Sequence, residues 1–478
     1  MSLQQPLNFG CKGRRKMMDR RHFLQSGLSA LGACASHSSF SFGLDVSSNF
    51  VNVAKSVSDY KTLVCINLQG GADSVSLFVP TSNAEYNQYQ KIRQNLSYEQ
   101  SSINPLVSNN ENLDGLGLPN FISSFSSLFN DKKLSIVSNV GPLREPTTLS
   151  MIQTNKALLP PFMNSHSDHE NLWQTGFVDV NERTGWGGRL IEAFNNEGTL
   201  IPNNISLKQT RKFVRGNKLD PFVVNAGEIK NLSQYVDWET NSDKPLRDIF
   251  NKLTNKNDTS LDESYTKVVN SAMNSNQALK RGLQTASETA VSYPMSTGNV
   301  AVDSEAEGFN AQLKRAAELI EIAPFLGHQR QVIFIQLGMF DTHDSQATVF
   351  PALMKLLSDG MKSFQADLEA RGVDDRVVTA TQSEFGRTLT INSNGTDHGW
   401  GGHQFVMGTP VQGGQVIGNL PEFAIGSSDT YQSAFIPQYS VEQYGANLAK
   451  WFGILDSEML DIFPTYNRFD NVDFGLFV

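Results

Sequence analysis

Three apolar, strand-like runs in this chain each end in a small polar cluster, a pattern that predicts a sheet with its functional groups gathered at one edge. The sharpest run, Gln331 to Phe340, ends in Asp341-Thr342-His343-Asp344. Lys61 to Leu68 ends in Gln69-Gly70-Gly71-Ala72-Asp73-Ser74, and Arg376 to Thr381 leads into Ser383-Glu384-Phe385-Gly386-Arg387. A fourth and denser cluster, Gly395-Thr396-Asp397-His398-Gly399, is followed by His403. Open α/β sheets place ligands just beyond the carboxyl ends of their strands. Aspartate and histidine together are hard-to-borderline metal ligands. The arrangement points to a metal-dependent site at the rim of a sheet.

Between the runs lie helical patterns. Phe309 to Ile322 carries Leu313, Ala316, Ala317 and Ile320 on one face, Thr348 to Arg371 follows the sharpest run, and Val441 to Phe452 lies near the C-terminus. Alternating strand and helix predicts a mainly parallel sheet covered by helices. The chain of 478 residues is 39% hydrophobic and 18% charged, enough for one large α/β domain with insertions or for two domains. Residues 144–189 read as long loops. The polar stretch 196–300 reads as a largely helical insertion or cap, with helices near Leu246–Leu253 and Leu261–Leu283.

Residues 1–43 carry six Lys+Arg against Asp19, or +5 of the net -9, which leaves the remainder at -14. An acidic body argues against nucleic acid as a partner, because phosphate backbones need Lys and Arg. A small anionic substrate stays compatible, since a metal reverses the local field. Cys11, Cys34 and Cys65 supply neither a disulfide framework nor a thiolate metal site.

Met18 to Gln25, with the paired Arg20 and Arg21 before Phe23-Leu24, resembles a twin-arginine export signal; the alternative is a basic amphipathic helix. The apolar stretch Gly27 to Ala35 is weaker than a membrane span. Cleavage at Ala33-Cys34-Ala35 is expected; lipid attachment at Cys34 is the alternative. Residues 1–45 are thus assigned to the signal region, 46–60 to a linker and 61–478 to the body. The expected location is periplasmic or extracellular, with the twin-arginine machinery as partner and no membrane span after the signal.

The candidate metal ligands are Asp73, Asp341, His343, Asp397, His398 and His403. For Asp73 the alternative is a turn cap, with the ligand reading preferred. Glu384 either binds metal, orients an imidazole or pairs with Arg387. Arg387 either holds an oxyanion or serves that ion pair. In Asn164-Ser165-His166-Ser167-Asp168-His169-Glu170, His166 and His169 are additional ligands, while Ser165 is a nucleophile beside the metal or a helix cap. Trp173 and Trp186 line a substrate mouth or pack inside.

The motifs LQGGADS, SHSDHE, FDTHDSQ, SEFGRT and GTDHGWGG, in that order, resemble a bacterial family of exported proteins with a domain of unknown function. That family is similar in fold to the alkaline phosphatase-like superfamily of sulfatases, phosphodiesterases and cofactor-independent phosphoglycerate mutases. The resemblance covers about residues 60–455. It implies an alkaline phosphatase-like α/β fold and a site for one or two divalent metals, with Asp397-His398 as the shared Asp-His pair, Asp73, Asp341 and His343 as further ligands and Ser165 as the nucleophile. Zinc suits the histidines; calcium, manganese or magnesium suit an oxygen-dominated set. The expected activity is hydrolysis of a small phosphate or sulfate ester. A non-catalytic secreted binding or assembly protein on the same scaffold is the alternative.

Overall fold

The computed structural model describes residues 59–106, 115–194, 196–229 and 260–478, together with Asp248 and Lys252. The signal region, the linker up to residue 58 and the helix expected near Leu246–Leu253 lie outside them, apart from those two residues. Its frame is a nine-stranded sheet. In chain order the strands of the sheet and its adjoining hairpin are β1 (Lys61–Leu68), β2 (Leu134–Gly141), β3 (Asn204–Ser206), β4 (Phe222–Val223), β5 (Arg330–Leu337), β6 (Val377–Gln382), β7 (Arg387–Ile391), β8 (Thr396–His398), β9 (Gly402–Met407), β10 (Gln415–Ile417) and β11 (Tyr439–Ser440). The sheet runs β10-β2-β9-β6-β1-β5-β3-β4, with β11 also on β2. Within it only β9 is antiparallel to its neighbours. β7 and β8 form a separate hairpin that sets Arg387 opposite His398. The mostly parallel sheet predicted from the alternation is therefore present.

Eight helices matter for the argument: α1 (Asn83–Arg93), α2 (Ser123–Asn130), α3 (His166–Thr175), α4 (Trp186–Glu192), α5 (Ser260–Leu283), α6 (Val300–Glu321), α7 (Gln346–Ala370) and α8 (Val441–Phe452). The central strands are buried on both faces, which is why they read as continuous apolar runs. Along β1, Val64, Ile66 and Leu68 enter a core shared with α2, α6 and α7, while Leu63 and Cys65 enter one shared with α4 and α8.

Two sequence expectations change. The stretch 196–300 is not solely a helical cap, because β3 pairs with β5 and extends the main sheet. Such short strands carry too little periodicity to be read beforehand. Residues 144–189 hold α3 and the start of α4 rather than loops alone. Gly176, at φ +76°, closes α3 in the left-handed conformation that glycine reaches without steric cost. Trp173 and Trp186 are 2% exposed and pack inside, with Trp186 Nε1 donating to the Trp173 carbonyl. Among the described residues no helix is long and apolar enough to cross a membrane.

Candidate metal centre

The carboxyl ends of β1, β5 and β6 open on one edge of the sheet. Since β9 runs the opposite way, its amino end reaches the same edge and brings the β7–β8 hairpin with it. The loops after β1 and β5 lie against each other: Phe340 N donates to Gln69 O at 3.0 Å. A Cβ on Gly70 would sit 2.2 Å from Asp341 N, so only glycine permits this approach.

Asp341, just beyond β5, is the focus. Its Oδ1 accepts from Arg387 Nη2 at 2.7 Å and lies 3.2 Å from His398 Nε2 and 3.1 Å from His343 Nε2. Its Oδ2 lies 3.4 Å from His166 Nε2. The two imidazole nitrogens of His343 and His398 are 2.8 Å apart. Ligand atoms of His166, Asp341 and His398 all fall within 4.8 Å of one another.

Each imidazole is oriented through its other nitrogen. His166 Nδ1 faces Glu384 Oε1 at 3.0 Å, His398 Nδ1 faces the Asn164 carbonyl at 2.7 Å, and His343 Nδ1 faces Asp397 Oδ1 at 3.3 Å. For His166 and His398 those acceptors assign the ring proton to Nδ1, whereas His343 Nδ1 also lies 3.5 Å from the Asn392 amide nitrogen. Three Nε2 atoms then face one carboxylate and, for His343 and His398, each other. Such an arrangement is repulsive until a cation or a proton lies among them. A tetrahedron with bonds of about 2.0–2.1 Å has edges of about 3.3 Å, close to the separations of Asp341 from the three rings, whereas the 2.8 Å between His343 and His398 is shorter. Nitrogen with one carboxylate is also the donor set that suits zinc.

The Glu384 hydrogen bond leads the forces that raise His166 above the usual imidazole value, whereas burial lowers His398. Burial alone would raise the Asp341 carboxyl, but the Arg387 hydrogen bond and charge, with His166 beside it, hold it below the usual range.

The remaining sequence candidates lie elsewhere or act indirectly. Asp73 is fully buried in an ion pair with Arg93 at the end of α1, and it accepts from Gln346 Nε2 at 2.6 Å. The turn after β1 aims its carboxylate into the packing between α1 and α7, away from the histidines. His403 lies within β9, 2% exposed, with Phe78 edge-on at 4.9 Å and Nδ1 accepting from Asn139 N at 3.1 Å. His169 is buried against Phe385 and the backbone of Glu384 and Pro161. Arg387 is fully buried, and its guanidinium is taken up by the carbonyls of Gly71, Phe340 and Thr396 and by Asp341. It anchors Asp341 instead of facing a substrate. Ser165 occupies the cap position of α3, where its hydroxyl donates to Asp168 Oδ2 at 2.6 Å. Asp397 orients His343 and accepts from Asn392 Nδ2 at 2.7 Å.

Three parts of the centre were not foreseen. Phe385 stacks on His398, with centroids 4.5 Å apart and planes at 27°, and also packs 5.0 Å from His166. A phenylalanine inside SEFGRT reads as core, so its place under two imidazoles carries no sequence signal. Asn164 contributes a backbone carbonyl from a left-handed residue at φ +74°. Asn392 belongs to the turn between β7 and β8, whose geometry brings it to Asp397.

The buried histidines carry a pH prediction. Burial pushes His169 and His328 down to about 4 and His403 to about 3. A histidine whose folded value lies below its unfolded 6.5 binds its proton more readily when unfolded. Its stabilisation is complete above about pH 6.5 and is lost as pH falls toward the folded value, by up to about 1.4 kcal/mol per pH unit. Glu442, which burial raises to about 7, acts in the opposite sense from about pH 7 down to 4.5. His403→Gln should therefore make the decline in urea midpoint between pH 6.5 and 4.5 shallower by about one proton's worth. An unchanged slope would contradict the neutral state assigned to His403.

Residues 60–434 match the family model described as "Protein of unknown function (DUF1501)". None of the curated proteins matches the chain. Similar solved structures include Ps i-CgsB in complex with k-i-k-neocarrahexaose, at 8% identity, covering 87% of this chain and 78% of that one, with a TM-score of 0.33. Another is the C-terminal periplasmic domain of EcEptC from Escherichia coli, at 9% identity, covering 86% and 88%, with a TM-score of 0.30.

Proposed function

The chain belongs to the DUF1501 family, and from that premise we propose that it is an exported, metal-dependent hydrolase of phosphate or sulfate esters. The observation that carries the reading is the convergence of three oriented Nε2 atoms on the Asp341 carboxylate. Zinc is the preferred ion, held by His166, Asp341 and His398, with His343 beside them. Such an ion, when bound, polarises an ester oxygen and lowers the pKa of a bound water.

The chain's own residues would do the rest. Glu384 fixes the His166 tautomer, and the Asn164 carbonyl fixes that of His398. Arg387 keeps Asp341 ionised. Phe385 excludes water from one side of the rings. Ser165, next to His166 in the chain, is the candidate nucleophile if its hydroxyl leaves Asp168; a metal-activated water is the alternative. Export through the Arg20-Arg21 signal would place the reaction outside the cytoplasm.

The test is metal analysis of protein taken from the exported fraction, with turnover of chromogenic phosphate and sulfate esters measured before and after chelation. Bound zinc and chelator-sensitive hydrolysis are expected. Stoichiometric zinc without turnover of either ester class would instead favour a binding protein, a reading that the engagement of Ser165 with Asp168 also favours. Absence of zinc from the exported protein would refute the metal centre.

A further inference from the structure

Beside the histidines lies a second polar cluster that the proposed chemistry does not use. Glu170 follows His166 by four residues on α3, so the two side chains share a face of the helix about 5–6 Å apart at Cβ. Its Oε1 accepts from Arg211 Nη1 at 3.0 Å, Gln174 Nε2 at 3.0 Å and Asn67 Nδ2 at 3.3 Å. Arg211 Nη2 donates to Gln336 Oε1, and Gln336 Nε2 donates to Gln69 Oε1. The cluster thus covers the carboxyl ends of β1 and β5, at the sheet edge that carries Asp341.

Its hydrogen bonding is incomplete. Among the described residues Arg211 Nε is buried without a partner, and so is Gln382 Oε1, although Gln382 Nε2 reaches Asn67 Oδ1 at 3.1 Å. Buried polar atoms without partners cost stability. Gln69, Glu170 and Arg211 keep partial exposure, the last two at 14% and 12% of the side chain. The edge of the cluster is therefore open to solvent.

Charge decides the kind of ligand. Arg211 and Glu170 cancel, so a second anionic group gains little there. What is left is a mixture of carboxylate and amide acceptors with guanidinium and amide donors. Hydroxyls, which donate and accept at once, match that mixture. We infer that this cluster is a recognition subsite for a hydroxyl-rich alcohol, so that the preferred substrate is an ester of a sugar or similar polyol. The assignment of substrate class rests on the hydrolase reading above; the binding of hydroxyls does not.

Two ligand pairs separate the ideas. Calorimetry on the zinc-loaded full chain compares glucose 6-phosphate with inorganic phosphate. Saturation-transfer NMR follows methyl glucoside with and without zinc. Glucose 6-phosphate should bind at least about tenfold more tightly than inorganic phosphate. Arg211→Met and the milder edge variant Gln69→Ala should bring the two near parity and leave inorganic phosphate unaffected. Equal binding in the unaltered chain, or an advantage retained in both variants, overturns the subsite. If neither phosphate binds but the methyl glucoside signal appears and is lost in the variants, the subsite stands and the metal-hydrolase reading fails. Phosphate binding with no sugar advantage and no glucoside signal has the reverse meaning.

Discussion

Asp341→Ala is expected to weaken zinc binding by about 100–1,000-fold. Structural zinc sites contribute about 10–16 kcal/mol across roughly four ligands, or about 2.5–4 kcal/mol each, and every 1.4 kcal/mol is about tenfold in affinity. Asp341 is the atom group toward which His166, His343 and His398 all turn, so no other ligand compensates. The fold should survive, because the Asp341 side chain is 45% exposed and Arg387 keeps its carbonyl partners at Gly71, Phe340 and Thr396. Competition titration with a chromophoric chelator reads the affinity, and circular dichroism checks the fold. A folded variant that binds zinc as tightly as the parent would remove Asp341 from the centre.

Asp73→Asn should do the opposite, destabilising the protein while leaving zinc affinity within about threefold. Removing one member of a buried ion pair costs about 3–5 kcal/mol, because the other charge is left uncompensated in a poorly solvating interior. Asp73 and Arg93 are 0% and 1% exposed, so neither recovers water on the native structure. Substituting Arg93→Met in the same chain should restore part of the loss, since a buried pair replaced by apolar atoms is often tolerated. Denaturant midpoints of the three chains measure the effect. Loss of zinc by Asp73→Asn, with stability preserved, would return Asp73 to the list of ligands.

The contrast between these two aspartates shows what was legible. Both follow a strand-like run, and both clusters contain residues suited to metal. The runs were readable because β1 and β5 are buried on both faces and therefore carry long apolar stretches, and β6, buried too, opens on Val377-Val378. The convergence of Asp341, His343 and His398 was readable because each belongs to an acid–histidine cluster at a strand exit or in the β7–β8 hairpin. The fate of Asp73 was not, since its partner Arg93 lies on α1 and Gln346 on α7, and a charge match across such separations leaves no local pattern. His403 misled because a histidine inside a short strand has the same letter as one beyond its end. Arg387 misled for a different reason: three of its four partners are backbone carbonyls, which any sequence supplies. The short β3 and β4 were invisible because two or three residues show no alternation.

The single reversed strand of the sheet has a consequence for how this site can diversify. Because β9 returns antiparallel, chain that leaves the sheet at the end of β6 re-enters it at the same edge, with no crossover helix between. Residues 383–401 therefore form one contiguous excursion from the sheet bearing Glu384, Phe385, Arg387, Asp397 and His398, held against its surroundings by contacts such as Arg93 to the Thr388 carbonyl and Arg387 to the Gly71 carbonyl. Its length and composition can change without altering the strand register on either side, provided its two ends stay together. Relatives with other specificities are expected to differ first in that excursion, and exchanging it between two of them transplants His398 together with Glu384, Arg387 and Asp397, the groups that orient the other ligands.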